Sequence, residues 1–330
     1  MLNYHRTVDI QRVFDAYEAE LLLVEEKLKK MLQSNALLIP FVGAYILNSG
    51  GKRLRPLFLL SSARFAGYKG NDHISLASII ELIHTASLLH DDVVDAAQLR
   101  RGMPTAHSVW GNQVVILVGD FLYSNALKTA VSFGNQKVME ALSHATTSMT
   151  EGELFQLQKS GDTEITEAEY RRIISAKTGI LISSACRIGA IIGGMPSREE
   201  DALARFGLKA GTAFQMADDV LDYMAEEGEL GKRLGKDLEE GKVTLPLIYL
   251  LQSASTSEKQ EVKDILSREL SDNGLKRILM LFRHYNVIEE SMKRASGLVE
   301  DAKSELSIFQ PSSHGDEMFE LADYALMRQN

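Results

Sequence analysis

The stretch ISLASIIELIHTASLLHDDVVDA, residues 74–96, decides the fold class. Its apolar residues fall on nearly every face of a 3.6-residue turn, the pattern of a helix surrounded by other helices in a bundle. The run then ends in three like charges, Asp91, Asp92 and Asp95, and Arg100 and Arg101 follow. On a helix Asp91 and Asp95 are one turn apart, about 5–6 Å between Cβ atoms, while Asp92 lies about 100° round. Like charges at that spacing are destabilising unless something positive sits between them. The motif recurs as QMADDVLD, with Asp218, Asp219 and Asp222 on the same faces. One such triplet reads as a solvated helix end; two, each after an apolar approach and each trailed by basic residues, do not.

Working outward, the chain keeps a helical period and has only 6 prolines, with no Asn-Gly or Asp-Gly between alternating strands. The expected architecture is all-α, with helices over 8–33, 74–96, from Pro104-Thr105 to 131, and over 135–158, 166–193, 198–225, 244–254, 257–270, 273–284 and 286–306. The charged, Gly-rich segment 226–242 is the one conspicuous long loop, and loops of that length in compact domains tend to be functional. No Pro/Ser-rich linker divides the chain, so a single domain over 1–330 is expected, with a short helical tail after SIFQPSSHGDE.

Composition narrows the function classes. The chain has 330 residues, 45% hydrophobic and 25% charged, with a net charge of −9, which argues against a nucleic-acid surface. A single cysteine, Cys186, excludes an intramolecular disulfide framework and points to a reducing cytoplasm, with Cys186 as a buried small hydrophobe. The N-terminal MLNYHRTVDIQRVFDAYEAE lacks the apolar core of an export signal. No window reaches the roughly 18 uninterrupted apolar residues of a spanning helix. No transmembrane segment is therefore expected, which leaves peripheral membrane contact at product release.

Oxygen-only ligands suit a hard cation such as Mg²⁺, which keeps waters and is shared with phosphate. The basic residues come in short ordered runs: Gly50-Gly51-Lys52-Arg53-Leu54-Arg55-Pro56, Arg100-Arg101, Lys177-Thr178 and Lys232. The first is not a P-loop, lacking the GxxxxGK[ST] spacing. Aspartates that hold metal and cations that bind phosphate directly are both satisfied by a diphosphate, and the number of cations suits two of them.

In order, GGKRLRP (50–56), ELIHTASLLHDDVVDAAQLRRGMPTAH (81–107), EGELFQL (151–157), AKTG (176–179), GTAFQMADDVLD (211–222) and LGKRLGKDLEEGKVTLP (230–246) resemble the signature blocks of the trans-isoprenyl diphosphate synthases. The resemblance spans nearly two hundred residues with no block missing. It implies an isoprenoid synthase-type bundle of roughly ten or more helices around a central cavity, and a homodimer. It implies that Asp91, Asp92 and Asp95 face Asp218, Asp219 and Asp222 and hold Mg²⁺, three ions per active site, against an allylic diphosphate. Arg100, Lys177 and Lys232, with Thr178 and Gln215, match positions that steady that diphosphate as it leaves. Lys52, Arg55, His84 and Arg101 match the pocket for isopentenyl diphosphate. His84 and Gln215 also have ordinary structural readings, as a satisfied helix histidine and a core-facing amide.

The implied reaction needs no protein nucleophile, in keeping with the lack of any Ser-His-Asp or Cys-His arrangement. Product length turns on the helix before Asp91: Ser87 lies one turn back on the same face, Ala86 beside it, and Ile83 a further turn back. Ala86 and Ser87 are small where short-chain members carry bulky aromatics, so a tunnel open past three isoprene units is expected. With EGELFQL this resembles the long-chain branch that makes quinone side chains, octaprenyl diphosphate being the expected product from a farnesyl or geranyl primer. A geranylgeranyl synthase and a non-catalytic subunit of a heteromeric synthase are the alternatives. A terpene cyclase would have replaced the second acidic motif and would lack the Lys52/Arg55 pocket.

Overall fold

The computed structural model describes residues 10–224, 235–268 and 270–327. In chain order the helices are α1 (Ile10–Ala16), α2 (Glu18–Met31), α3 (Leu38–Asn48), α4 (Leu54–Phe65), α5 (Asp72–Val94), α6 (Ala106–Trp110), α7 (Asn112–Val131), α8 (Gln136–Lys159), α9 (Glu167–Ile174), α10 (Ile180–Ile192) and α11 (Ser197–Leu221). They continue with α12 (Lys236–Glu239), α13 (Leu245–Ser253), α14 (Thr256–Leu266), α15 (Asp272–His284), α16 (Val287–Glu305) and α17 (Ser313–Asp323). The expected all-α class holds. The chain packs as two compact units: one from the residues up to Thr146 with Leu181–Gly207 and Glu305–Leu321, the other from Thr147–Ile180, Leu208–Ser304 and the residues from Ala322.

In the first unit α5 is the central element, packed against α2, α3, α4 and α7. Leu76, Ile79, Ile80, Leu82, Ile83, Ala86 and Leu89 are all excluded from solvent, as the all-round apolar pattern requires. α7 meets it through a stripe at helical spacing, Val115, Val118, Gly119, Leu122, Ala126 and Ala130. In the second unit Leu247, Leu250, Val262, Ile278, Leu281, Phe282 and Val287 form an apolar cluster. Cys186 is buried, and burial pushes its thiol up to about 12, so it is inert as expected.

Several boundaries differ from the sequence expectation. The helix expected over 8–33 is broken at Tyr17, whose hydroxyl donates to Glu317 Oε2 at 2.7 Å and whose ring lies 3.8 Å from the Arg64 guanidinium. Two anchoring contacts offset the roughly 1 kcal/mol of a helical hydrogen bond. The helix expected after Pro104 is interrupted at Gly111 (φ 83°), and that over 166–193 contains a π-helical turn at Ser175–Gly179. α3 and α4 were not anticipated; each carries a proline in its first turn, where the missing N–H costs nothing. Also unanticipated is a small antiparallel hairpin, β1 (Leu99–Arg100) and β2 (Met103–Pro104). Its two-residue turn, Arg101 (φ 52°) and Gly102 (φ 76°), has both φ values positive, the hand that matches strand twist.

Two stretches, Asn112–Val131 and Glu167–Ile192, are long and apolar enough to cross a membrane by length and composition alone. The second is mostly buried within the fold. The first uses its apolar stripe to pack on α5 and carries exposed Asp120 and Lys128.

α10 approaches α4 closely because Gly189 has no side chain: a Cβ there would lie 2.6 Å from Ser62 Cβ, 2.7 Å from Ala63 N and 2.9 Å from Leu59 O. Backbone cannot move aside as a flexible side chain can. Gly189→Ala is expected to cost about 1–3 kcal/mol by overpacking, read as a lower urea midpoint with helical circular dichroism retained. A wild-type midpoint would contradict this contact.

Candidate active site

α5 and α11 end alike. In each, the first two aspartates occupy the last turn and the third follows it, Asp95 as the cap of α5 and Asp222 directly after Leu221. The Asp95 amide donates to Asp91 O at 2.8 Å and the Asp222 amide to Asp218 O at 3.2 Å. A helix C-terminus carries partial negative charge, so a carboxylate there is disfavoured by about 0.3–1 kcal/mol and a cation beside it is favoured. Burial repeats too: the outer aspartates, Asp91, Asp95, Asp218 and Asp222, are half-buried, whereas Asp92 and Asp219 are only 1% and 7% exposed.

In the first unit Asp92 is met by Arg100, whose Nε lies 2.9 and 3.1 Å from the two carboxylate oxygens and whose Nη2 lies 2.8 Å from Oδ1. Arg55 Nη1 donates to His84 Nε2 at 2.9 Å. A guanidinium only donates, so Nε2 is the acceptor and the ring proton sits on Nδ1. Burial, then the fields of Arg55, Arg100, Arg101 and Arg53, hold His84 well below the usual histidine range, so it is neutral at pH 7. Of these four guanidiniums, Arg100 is paired with Asp92 and Arg53 with Glu25 and Glu81.

The loop before α4 explains how they gather. A Cβ on Gly51 would stand 3.0 Å from Arg53 Nη1 and 3.3 Å from Arg101 Nη1, so the bare backbone admits both groups. Arg53 and Arg101 adopt φ of 49° and 52°, a left-handed conformation costing about 1–2 kcal/mol each. Arg53 is tied to Glu25, to the buried Glu81 at 3.2 Å and to Leu47 O at 3.1 Å. It therefore holds the loop rather than presenting charge, while Lys52 is exposed. On α5, Ala86 and Ile83 are fully buried, and Ser87 is half-buried with its hydroxyl donating to His84 O at 2.8 Å.

In the second unit three side chains on one face of α11 bond to the segment containing the π turn. Thr212 pairs with Ser175 at 3.0 Å, Gln215 Oε1 accepts from Thr178 at 2.8 Å, and Asp219 Oδ2 accepts from the Tyr170 hydroxyl at 2.7 Å. Gln215 Nε2 also donates to Asp219 Oδ1 at 2.8 Å. Thr178 and Gln215, expected beside the diphosphate, are thus engaged with each other and with the acidic motif. Lys177 Nζ lies 2.8 Å from Glu153 Oε2. Asp222 Oδ2 accepts from the Asp237 amide at 3.0 Å, which adds a fourth carboxyl beside the motif. Burial, then Asp219 and Asp222, push the Asp237 carboxyl well above the ordinary range. Lys232 lies outside the described residues.

Sequence reasoning missed Tyr170, Glu153, Asp237 and the Arg53–Glu81 pair. Asp237 and Glu153 lie inside quoted blocks and could have been found there; Tyr170 carries no signal of its own. Among the described residues no three acidic or histidine side chains converge to cage a cation. The outer aspartates, paired one turn apart and oxygen-only, fit a Mg²⁺ that keeps waters and shares its coordination with phosphate.

Two outcomes test this geometry. Arg100→Met would leave Asp92 buried without its counter-charge and is expected to cost about 3 kcal/mol, with Asp92→Asn added in the same chain recovering much of it on a denaturant curve. Burial, opposed by the Tyr170 and Gln215 hydrogen bonds, pushes the Asp219 carboxyl up to about 7, against about 4 for an unfolded aspartate. The folded metal-free chain then holds the extra proton between these values, so stability from this group is present at low pH and is lost as pH rises through about 7. In EDTA, the thermal midpoint of wild type relative to Asp219→Asn should fall across that window; parallel profiles would contradict it.

Residues 38–281 match the Polyprenyl synthetase family. The octaprenyl diphosphate synthase of Escherichia coli K12 is 36% identical over 321 residues, 97% of this chain and 99% of that one. An all-trans-nonaprenyl-diphosphate synthase of Rhodobacter capsulatus, specific for geranyl diphosphate, is 37% identical over 92% of this chain and 94% of its own. Among solved structures, a polyprenyl synthase from Caulobacter crescentus in complex with calcium and isoprenyl diphosphate superposes with a TM-score of 0.93 at 36% identity, covering 98% of both chains. Acidic helix ends, a cationic pocket around a neutral histidine and this full-length likeness agree: the chain belongs to the polyprenyl synthetase family and is a prenyltransferase that elongates trans-polyprenyl diphosphates.

Proposed function

We propose that the protein condenses isopentenyl diphosphate with farnesyl or geranyl diphosphate, head to tail, and repeats the step to a long all-trans chain, octaprenyl diphosphate, for quinone side chains. The observation that carries the chain length is the pair Ala86 and Ser87, small residues within the turn and a half of α5 before Asp91. A turn rises about 5.4 Å, comparable with one isoprene unit, so bulk here would stop a growing tail early.

The division of labour follows from the residue types. Mg²⁺, proposed as three ions, would be held by Asp91, Asp95, Asp218 and Asp222 and would stabilise the charge on the departing diphosphate. Arg100, Lys177 and Lys232 would bind that same diphosphate as point charges and forks. Because Asp92 accepts from Arg100 through both oxygens, its proposed part is to aim that guanidinium. Asp219 instead accepts from the neutral donors Tyr170 and Gln215. Lys52, Arg55, His84 and Arg101 would hold the isopentenyl diphosphate so that its double bond meets the allylic cation, and a neutral His84 supports Arg55 without adding a titrating charge. Proton loss to the released diphosphate restores the alkene.

The protein is further proposed to be a cytoplasmic homodimer. Ile116, Leu117 and Val131 leave α7 with 41%, 67% and 61% of their surfaces exposed, apolar area that a second copy would cover.

Purified protein given Mg²⁺, isopentenyl diphosphate and farnesyl diphosphate should yield a product ladder ending near eight units; no elongation without another protein would instead indicate a heteromeric subunit. Ala86→Phe and Ser87→Phe should each shorten the ladder on reversed-phase chromatography, and an unchanged ladder in both would reject the proposed tail path. Leu117→Glu should shift the mass in light scattering from two chains to one.

A further inference from the structure

Tyr170 is only 3% exposed, and its hydroxyl donates to Asp219 Oδ2 at 2.7 Å. It stands at the end of a ladder that joins α11 to the segment carrying Lys177. Three rungs make up that ladder: Ser175 to Thr212 at 3.0 Å, Thr178 to Gln215 at 2.8 Å, and Tyr170 to Asp219. Only the last ends on the acidic motif. Gln215 closes the chain by donating to Asp219 Oδ1 at 2.8 Å, so each oxygen of Asp219 has one fixed donor and the carboxylate cannot rotate. Asp219 lies in the last turn of α11, between Asp218 and Asp222. Fixing its plane fixes the backbone from which both outer carboxylates project.

We infer that Tyr170 is a positioning residue for the cation-binding end of α11, setting the affinity of Asp218 and Asp222 for Mg²⁺-diphosphate through its hydrogen bond to Asp219. The inference rests on the prenyltransferase reading of the same residues. A tyrosine serves here because its hydroxyl reaches a buried carboxylate from a neighbouring helix while its ring fills apolar space. Phenylalanine keeps the ring and loses only the bond.

The test compares Tyr170→Phe with Thr212→Val, which removes a rung that does not touch the motif. Mn²⁺ binding in the presence of inorganic pyrophosphate, followed by electron paramagnetic resonance, should weaken about tenfold in Tyr170→Phe and stay at the wild-type value in Thr212→Val. The Mg²⁺ concentration for half-maximal elongation should rise in parallel, with KM for isopentenyl diphosphate unchanged. Wild-type Mn²⁺ binding by Tyr170→Phe, or an equal loss in Thr212→Val, would overturn the proposal. Should Tyr170→Phe fail to fold, Gln215→Leu, which removes the other donor to Asp219, is read the same way. A wild-type protein that binds Mn²⁺ and pyrophosphate but elongates nothing on its own would overturn the proposed self-sufficient synthase while leaving the resonance comparison decisive for Tyr170.

Discussion

Carboxylates at the negative end of a helix are the constraint on which the rest of the structure depends. α5 and α11 each finish in two aspartates with a third just beyond, at the end of a helix whose dipole disfavours anions. At each end the two outer aspartates are half-buried, and a Mg²⁺-bound diphosphate is the partner proposed for them.

Within that constraint the middle aspartate has a different task. Asp92 and Asp219 are almost wholly excluded from water and have organic donors on both oxygens, Arg100 in one case, Tyr170 and Gln215 in the other. A buried carboxylate without such donors would cost several kcal/mol or stay protonated. The donors differ because the neighbourhoods differ: a short hairpin returns Arg100 to α5, whereas a π turn and the helix before it supply Tyr170 and Thr178 to α11. A π turn inside a helix re-aims the side chains around it, and such bulges recur at functional positions.

The cationic pocket shows the complementary economy. Arg55 bonds His84, while Arg53 and Arg101 adopt positive φ and a loop glycine leaves room for their side chains. Arg53 shows that a cation in a signature block need not meet substrate, since its bonds go to Glu25, Glu81 and Leu47.

The sequence by itself determined the fold class, the position of α5 and α7, the two acidic helix ends and the order of the basic blocks, because these are properties of local period and spacing. Arg55 with His84 and Thr178 with Gln215 were named from a family pattern, and the structure brings each pair within hydrogen-bond distance. Tertiary structure decided what spacing cannot express. Asp91 and Asp92 are neighbours in sequence, yet one is half-buried and the other sealed by a guanidinium eight residues on. Tyr170 is one of ten tyrosines, and only its placement opposite α11 gives it a carboxylate. The breaks at Tyr17, Gly111 and the π turn lie in runs whose period reads as continuous helix, since they arise from side-chain anchors and backbone torsions set by distant partners. Periodicity reports which face a residue occupies; the identity of the group on the other side belongs to the folded chain.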